Sequence, residues 1–352
     1  MAKKVDYCIL IGRFQVFHLN HKAIVDTALE QAEKVIILLG SANRPRSIKN
    51  PFTKNERQLM IESVYANTPD SKRLIVSGIS DYLYNDQKWA LEVQNIVDNL
   101  IENDGKDPDE VTIGITGNRD DHSSWYLNMF PQWEHITPKL LEGKIKDIHA
   151  TDIREILFTK ETTDSRKLMQ PLVPKEIFRY LEEFKNTHEF LQLAGEYGYI
   201  KDYKKSWAKA PYPVTFVTVD AVVIQSGHIL LIKRRAAPGK GLYAMPGGFL
   251  DQNETIEDGM LRELHEETKI KVPVPVLRGN IRARKVYDNV ERSMRGRTIT
   301  NAFLIELPSG ELPRIKGSDD AEKAIWLPIS DLKAENMFED HYDIITNMLG
   351  RI

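Results

Sequence analysis

The chain has 352 residues and a formal net charge of -3, with 41% hydrophobic and 28% charged residues. At about 100–200 residues per domain this predicts two globular domains. It excludes a disordered chain and gives no basic excess of the kind nucleic-acid partners require. The single cysteine, Cys8, excludes an intrachain disulfide. No run approaches the ~20 apolar residues of a membrane span and no signal-peptide core is visible, so a cytoplasmic protein with no membrane partner is expected.

The first half alternates strand and helix patterns. Val5–Ile11 is a continuous apolar run ending at Gly12, as in a buried parallel strand. Residues 21–34 have helical spacing at Ile24, Val25, Ala28, Leu29 and Ala32, and Val35–Leu39 is a second strand. A helix is predicted over Asn55–Tyr65, with Leu59, Met60, Ile61 and Val64 facing the core, and another over Trp89–Ile101. Leu74–Val76, Val111–Ile115 and Trp133–Ile136 complete the strands. Such alternation predicts a doubly wound parallel sheet, in which ligands bind beyond the carboxyl ends of the strands.

The loop after the first strand reads Gly-Arg-Phe-Gln-Val-Phe-His-Leu-Asn-His over residues 12–21. Two histidines, His18 and His21, at the start of a helix suit a triphosphate. The helix N-terminus offers free N–H groups, and imidazole donors can follow charge on a transferring phosphoryl group. Gly12 lets the backbone approach a phosphate, and Arg13 can hold one. For an arbitrary His-x-x-His, two surface histidines would be the better reading; the preceding buried strand reverses that.

This segment resembles the signature of the His-x-Gly-His nucleotidyltransferases, in the archaeal-type nicotinamide mononucleotide adenylyltransferase branch. Two positions depart from it: Asn20 replaces the motif glycine and Val16 a common proline. Asn50-Pro51-Phe52-Thr53-Lys54-Asn55-Glu56-Arg57 resembles a second segment of that branch, and Thr53 with Glu56 also reads as a helix capping box. Asp81, Asn85 and Trp89 resemble the stretch whose tryptophan stacks on the pyridine ring; a core tryptophan is an equal reading. His149-Ala150-Thr151-Asp152-Ile153-Arg154 resembles the second signature, with His149 where serine is usual. The resemblance implies a Rossmann-like fold over about residues 1–180 and transfer of AMP from ATP to nicotinamide mononucleotide with Mg²⁺. It further implies that His18 and His21 stabilise the phosphoryl charge, and that Gly12, Arg13, Phe14, Thr151 and Arg154 bind ATP. Thr151 is expected to cap its helix, and Trp89 to select the pyridine.

Residues 171–184 and 186–203 read as helices, and Lys204–Pro213 as a boundary. The expected division is 1–185 for the transferase, 186–211 for a helical linker and 212–352 for a second domain. There, Val214–Ile224 and Ile229–Lys233 suggest a hairpin, Ala302–Leu307 and Ala324–Leu327 further strands, and Asp331–Leu349 a last helix. Between them lies Gly248, then Glu254, then Arg262-Glu263-Leu264-His265-Glu266-Glu267. Thr255 is a plausible N-cap with Asp258 as its partner. Glu263, Glu266 and Glu267 then share one helix face, where crowded carboxylates call for Mg²⁺ or Mn²⁺. Gly247 would bring its carbonyl to the metal, Arg262 would orient the carboxylates, and Glu266 and Glu267 would serve catalysis.

Such a pattern arises by chance on the order of 10⁻⁷ per position, and it resembles the Nudix box. Lys269 stands where that family has glycine. The resemblance implies an α+β Nudix fold hydrolysing a diphosphate, and the fusion to a transferase resembles a bifunctional family whose Nudix half cleaves ADP-ribose. The general base is open among Glu291, Glu306 and Glu311, and the basic run Arg278–Arg297 reads equally as phosphate-binding or as a solvated face. Two other readings stand beside this one: a Nudix half that acts on another diphosphate or only binds a regulatory ligand, and a transferase of different specificity. A homo-oligomer is compatible with the sequence.

Overall fold

In the computed structural model, which describes residues 5–117, 122–139, 141, 148–159, 163–316 and 321–350, the chain forms two units, Met1–Ala194 and Gly195–Ile352. The first is built on β1 (Val5–Gly12), whose apolar residues are buried throughout. There follow α1 (Leu19–Gln31), β2 (Ala32–Leu39), α2 (Lys54–Tyr65), β3 (Leu74–Gly78), α3 (Asp86–Asn103), β4 (Ile113–Thr116) and β5 (Glu134–Ile136). The sheet order is β3-β2-β1-β4-β5 and every pairing is parallel. The chain winds outward from β1 to β3, then returns to lay β4 on the other side of β1. The crevice beyond the carboxyl ends of β1 and β4 is therefore the switch point of a Rossmann-like sheet. Val93, Val97 and Ile101 of α3 close one face of the core against Ile9, Ile36 and Leu38.

α1 stops at Gln31, earlier than its apolar spacing suggests, because Ala32 and the residues after it join the ladder beside β1. α2 also differs from expectation. Leu59 is 61% exposed, whereas Arg57 is 1% exposed. The guanidinium satisfies buried carbonyls that no aliphatic side chain could serve. α4 (Ala150–Phe158), α5 (Thr163–Met169), α6 (Lys175–Phe184) and α7 (His188–Trp207) complete the helices of this half. α7 continues through the lysine-rich stretch expected to be a boundary, and the division of the chain falls within it.

The second unit is a mixed sheet. β6 (Phe216–Gln225) and β7 (His228–Arg234) form the hairpin, followed by β8 (Tyr243–Ala244), β9 (Gly247–Phe249), α8 (Ile256–Thr268), α9 (Val274–Gly279), β10 (Ile281–Tyr287), β11 (Thr298–Glu306), β12 (Ala321–Pro328) and α10 (His341–Leu349). The order is β10-β11-β6-β7-β12, with β8 on β7 and β9 on β6; β11 runs parallel to β6. Met260, Leu261 and Leu264 of α8 pack on Val219, Ala221 and Val223 of β6, leaving the helix's carboxylates on the other side. The last helix is shorter than expected. Residues 331–340 instead pass through a turn in which the Phe338 amide donates to the Tyr243 carbonyl and Glu339 takes φ 43°. Among the described residues, no helix is long and apolar enough to cross a membrane.

Candidate active sites

At the switch point, His18 is the N-cap residue of α1 and is 5% exposed. Its backbone amide donates to His21 Nδ1 at 3.3 Å, and the two rings stack with centroids 3.6 Å apart. Phe14 is buried and meets His21 edge-on at 4.8 Å, and Phe17 stacks on it at 5.8 Å. The phenylalanines therefore fix the imidazole plane. Burial, with His21, His149 and Arg154 nearby, holds His18 far below the usual imidazole range. Burial also pushes His21 down to about 3, against the Val16 carbonyl, which pulls it upward. Two neutral imidazoles result, each with one N–H donor and one acceptor. Among the described residues, His18 Nδ1 is buried without a hydrogen-bond partner, an arrangement that a ligand atom would relieve.

The loop between β1 and α1 is anchored from two sides. Arg57 Nη1 donates to the carbonyls of Arg13, at 2.6 Å, and Gly40, at 2.7 Å. From α4, Arg154 Nη1 donates to the Gln15 carbonyl and Nη2 to Thr151 Oγ1 at 3.0 Å. Burial and the charge of Arg13 lower Arg154 to about 10, so it remains a cation. His149, not Thr151, is the N-cap of α4; Thr151 lies inside the first turn, where its hydroxyl meets Arg154 instead. Gly12 is required by packing, since a Cβ there would lie 2.9 Å from the Phe14 ring. Arg13 is exposed. Thr53 caps α2 as expected, its hydroxyl accepting from the Glu56 amide at 3.3 Å.

Trp89 is half-buried on α3, its ring 5.8 Å from Tyr126 and 6.0 Å from Trp125, which is 50% exposed. Tyr126 donates to the Ile11 carbonyl at 2.9 Å, which fixes this aromatic group beside β1. Asn85 caps α3, and Asp81 is held by the Ser41 amide at 3.0 Å and Arg44 at 3.0 Å. Both residues organise loops.

In the second unit Thr255 caps α8 as expected, its hydroxyl accepting from the Asp258 amide at 3.2 Å. Arg262 donates to Glu254 at 2.7 and 2.9 Å, to Glu263 at 2.9 Å and to Glu266 at 3.0 Å. Glu267 turns to the Gly247 amide at 2.9 Å. Burial, reinforced by Glu263, pushes Glu267 up to about 8 despite that amide. Among the described residues, no three carboxylates stand gathered as a ready-made metal cluster: Arg262 holds two of them and Gly247 the third. Lys269 ends the helix with φ 47° and ψ 32°, the left-handed conformation that glycine adopts freely, so the helix exit is kept.

Two comparisons divide the chain at similar places. A cytidylyltransferase-like family matches residues 9–156, and the NUDIX domain family matches 214–348. The nicotinamide/nicotinic acid mononucleotide adenylyltransferase of Acinetobacter baylyi is 36% identical over 55% of this chain and 94% of its own length. An ADP-ribose pyrophosphatase of Methanocaldococcus jannaschii is 36% identical over 38% of this chain and 72% of its own. A crystal structure from Francisella tularensis, described as a bifunctional NMN adenylyltransferase/ADP ribose pyrophosphatase complexed with AMP and a manganese ion, covers 99% of both chains at 35% identity, with a TM-score of 0.87. The chain belongs to the bifunctional NMN adenylyltransferase/ADP ribose pyrophosphatase family.

For a member of that family the Nudix donors can be tested against a divalent cation. Glu263 and Glu266, which share Arg262, and Glu267, an acid raised by burial and then by Glu263, are hard oxygen donors on one helix, a donor set whose chemistry fits such an ion. The expected bases separate. Glu306 pairs with Arg282 at 3.2 Å and lies opposite Ile224, and the Glu311 carbonyl receives Gln225. Both are at the far end of β6 from Asp220, which faces Gly247, at roughly 3.3 Å per residue along the strand. Glu291 is in the loop between β10 and β11, which leads into Thr298 beside Phe216.

Asp220, Glu339 and Asp340 escaped the sequence reading, and Arg292 entered it only as part of the basic run. Asp220 is 5% exposed, pushed up to about 6 by burial, and receives Thr300 Oγ1 at 2.5 Å. Its signal was a lone acid inside an apolar strand. Arg292 and Asp340 form a buried pair with two contacts of 2.9 Å, and Glu339 accepts from Ser293 Oγ and the Met294 amide. Most of the basic run is engaged within the fold: Arg278 with Glu257 and Asp258, Arg282 with Glu306, Arg284 with Asn301.

Proposed function

We propose that the chain is a two-reaction enzyme of NAD metabolism. The first unit transfers AMP from ATP to nicotinamide mononucleotide, releasing pyrophosphate. The mononucleotide 5′-phosphate attacks the α-phosphate, and this step needs positioning and charge stabilisation rather than a covalent intermediate. His18 and His21 supply neutral N–H donors at the N-terminus of α1, where the helix dipole also favours anions. Arg154 steadies the loop through Gln15 and adds positive charge, exposed Arg13 reaches ATP phosphates, and Gly12 and Phe14 shape the floor. Thr151 holds Arg154, and Trp89 with Trp125 offers aromatic faces to the pyridine. The observation that carries this half is the stacked, buried, neutral histidine pair at the switch point.

The second unit hydrolyses ADP-ribose to AMP and ribose 5-phosphate. Glu263, Glu266 and Glu267, with Gly247, would hold Mg²⁺ or Mn²⁺, which supplies Lewis-acid stabilisation of the diphosphate and an acidified water. Arg262 sets the spacing of the carboxylates, and Gly247 aims Glu267. A Nudix half kept only for ligand binding rests on Lys269 and on the unassigned general base; the left-handed exit at Lys269 removes the first of these grounds. A cytoplasmic location is part of this reading. The test is AMP release from ADP-ribose with Mg²⁺ or Mn²⁺ in the absence of ATP, beside NAD formation from ATP and nicotinamide mononucleotide. Release of AMP supports the two-reaction enzyme. Its absence in a preparation that makes NAD removes ADP-ribose as the substrate and leaves another diphosphate or a Nudix fold kept for binding.

A further inference from the structure

The Met245 amide, two residues before Gly247, donates to His341 Nδ1 at 3.0 Å, across 96 positions of sequence. Both residues are buried: Met245 is 1% and His341 7% exposed. An amide can only donate, so Nδ1 accepts and the ring proton sits on Nε2. Burial, then the charges of Arg292, Arg234 and Arg295, hold this imidazole well below the usual histidine range, which keeps the acceptor available. A buried amide left without an acceptor is costly, so Met245 is committed to this ring.

The ring is itself held. His341 is the first residue of α10, and its amide donates to the Phe338 carbonyl at 3.1 Å. The Phe338 and His341 rings lie 5.5 Å apart. Phe338 occupies space that a glycine leaves open, since a Cβ at Gly239 would collide with its ring. Asp340, next to His341, is fixed by its two contacts with Arg292. The Phe338 amide donates to the Tyr243 carbonyl at 2.8 Å. The turn at 338–341 therefore grips the segment leading into the box at Tyr243 and again at Met245.

That segment carries the box geometry. The Pro246 carbonyl accepts from the Ala221 amide at 2.8 Å, and the Gly247 amide donates to Glu267. Gly247 lies so close to β6 that a Cβ would collide with the Val219 carbonyl. β6 thus fixes the segment at Pro246 and Gly247, and His341 fixes it at Met245. The direction of the Gly247 amide follows from both holds. We infer that His341 is a positioning residue for the carboxylate site: by accepting the Met245 amide it sets the Gly247 peptide that aims Glu267. This rests on the hydrolase reading of the second unit, and it places a determinant of cation affinity in the last helix, outside the box.

The test measures Mn²⁺ binding to the full chain by calorimetry without nucleotide, beside kcat and KM for ADP-ribose. Glu267→Gln identifies the Mn²⁺ bound at this site as the part of the binding it removes. His341→Leu keeps bulk but leaves the Met245 amide unpaired. Mn²⁺ affinity should fall about tenfold, as for groups that orient a metal ligand, and kcat should fall while KM holds. His341→Asn places Oδ1 at the same reach as Nδ1 and should restore most of the loss. Mn²⁺ affinity unchanged in His341→Leu overturns the proposal. So does His341→Asn binding as weakly as His341→Leu, because ring packing would then be the cause. If His341→Leu does not fold, His341→Gln, whose acceptor lies one bond further out, takes its place: tighter Mn²⁺ binding by the Asn variant supports the proposal, and equal binding overturns it. If the unsubstituted protein binds Mn²⁺ but releases no AMP from ADP-ribose, the affinity series still decides on His341 while the substrate reading falls. If Glu267→Gln removes no Mn²⁺ binding, both fall.

Discussion

The Gly247 amide donates to Glu267 Oε2 at 2.9 Å. A residue on a short strand thereby sets the direction of a carboxylate twenty positions later on a helix. Glu267→Gln keeps the size and much of the hydrogen bonding but removes the charge that a divalent cation needs. ADP-ribose hydrolysis should fall about 100-fold or more, with NAD formation unchanged in the same preparation. Equal loss of both activities would mean that the substitution harms the fold.

The buried histidine pair predicts an acid-side loss of stability. His21 has its folded pKa lowered to about 3, whereas an unfolded histidine titrates near 6.5. Between those values the unfolded chain binds more protons, so stability is lost as pH falls below about 6.5. The slope approaches about 1.4 kcal/mol per pH unit for one such group. Urea midpoints of the first unit's transition, measured between pH 7 and 4, should show a shallower slope for His21→Asn. An unchanged slope would place the titration elsewhere.

Arg57 satisfies the Arg13 and Gly40 carbonyls from inside the protein. Arg57→Met leaves both unpaired, at about 1–3 kcal/mol each, so a destabilisation of about 3 kcal/mol is expected by denaturant titration. ATP affinity should weaken as well, because the same contacts hold the loop that carries His18. Arg57→Lys should recover little, since one ammonium lacks the planar fork.

Lys269 holds a left-handed conformation at φ 47°. Lys269→Gly removes that strain and should stabilise the second unit by about 1 kcal/mol, read as a raised thermal midpoint. ADP-ribose hydrolysis should be unaffected, because the carboxylates precede the turn.

Much of the fold was legible because burial imposes a period. The apolar runs at Val5–Ile11 and Val35–Leu39 can be satisfied only between covering layers, and they became the central strand and one of its two neighbours. The Thr53–Glu56 and Thr255–Asp258 caps were legible because capping depends on residues three apart. Periodicity failed where a polar group has an interior task. Arg57 displaced Leu59 from the core of α2, and residues 331–340 left the helical path to pair with Tyr243.

By itself the sequence determined the two units, the helix starts that carry His18 and the box carboxylates, and the spacing that puts Glu263, Glu266 and Glu267 on one face. Those follow from local geometry, which is fixed by neighbours along the chain. Only the tertiary structure decided that Arg154 reaches the Gln15 carbonyl and that Glu306 and Glu311 lie away from the box. It alone brought Asp220 against Gly247, and Trp207 of α7 against Phe216 and so to the ring of Phe249. These relations join residues distant in sequence, and they depend on strand register and helix direction, which local pattern does not encode.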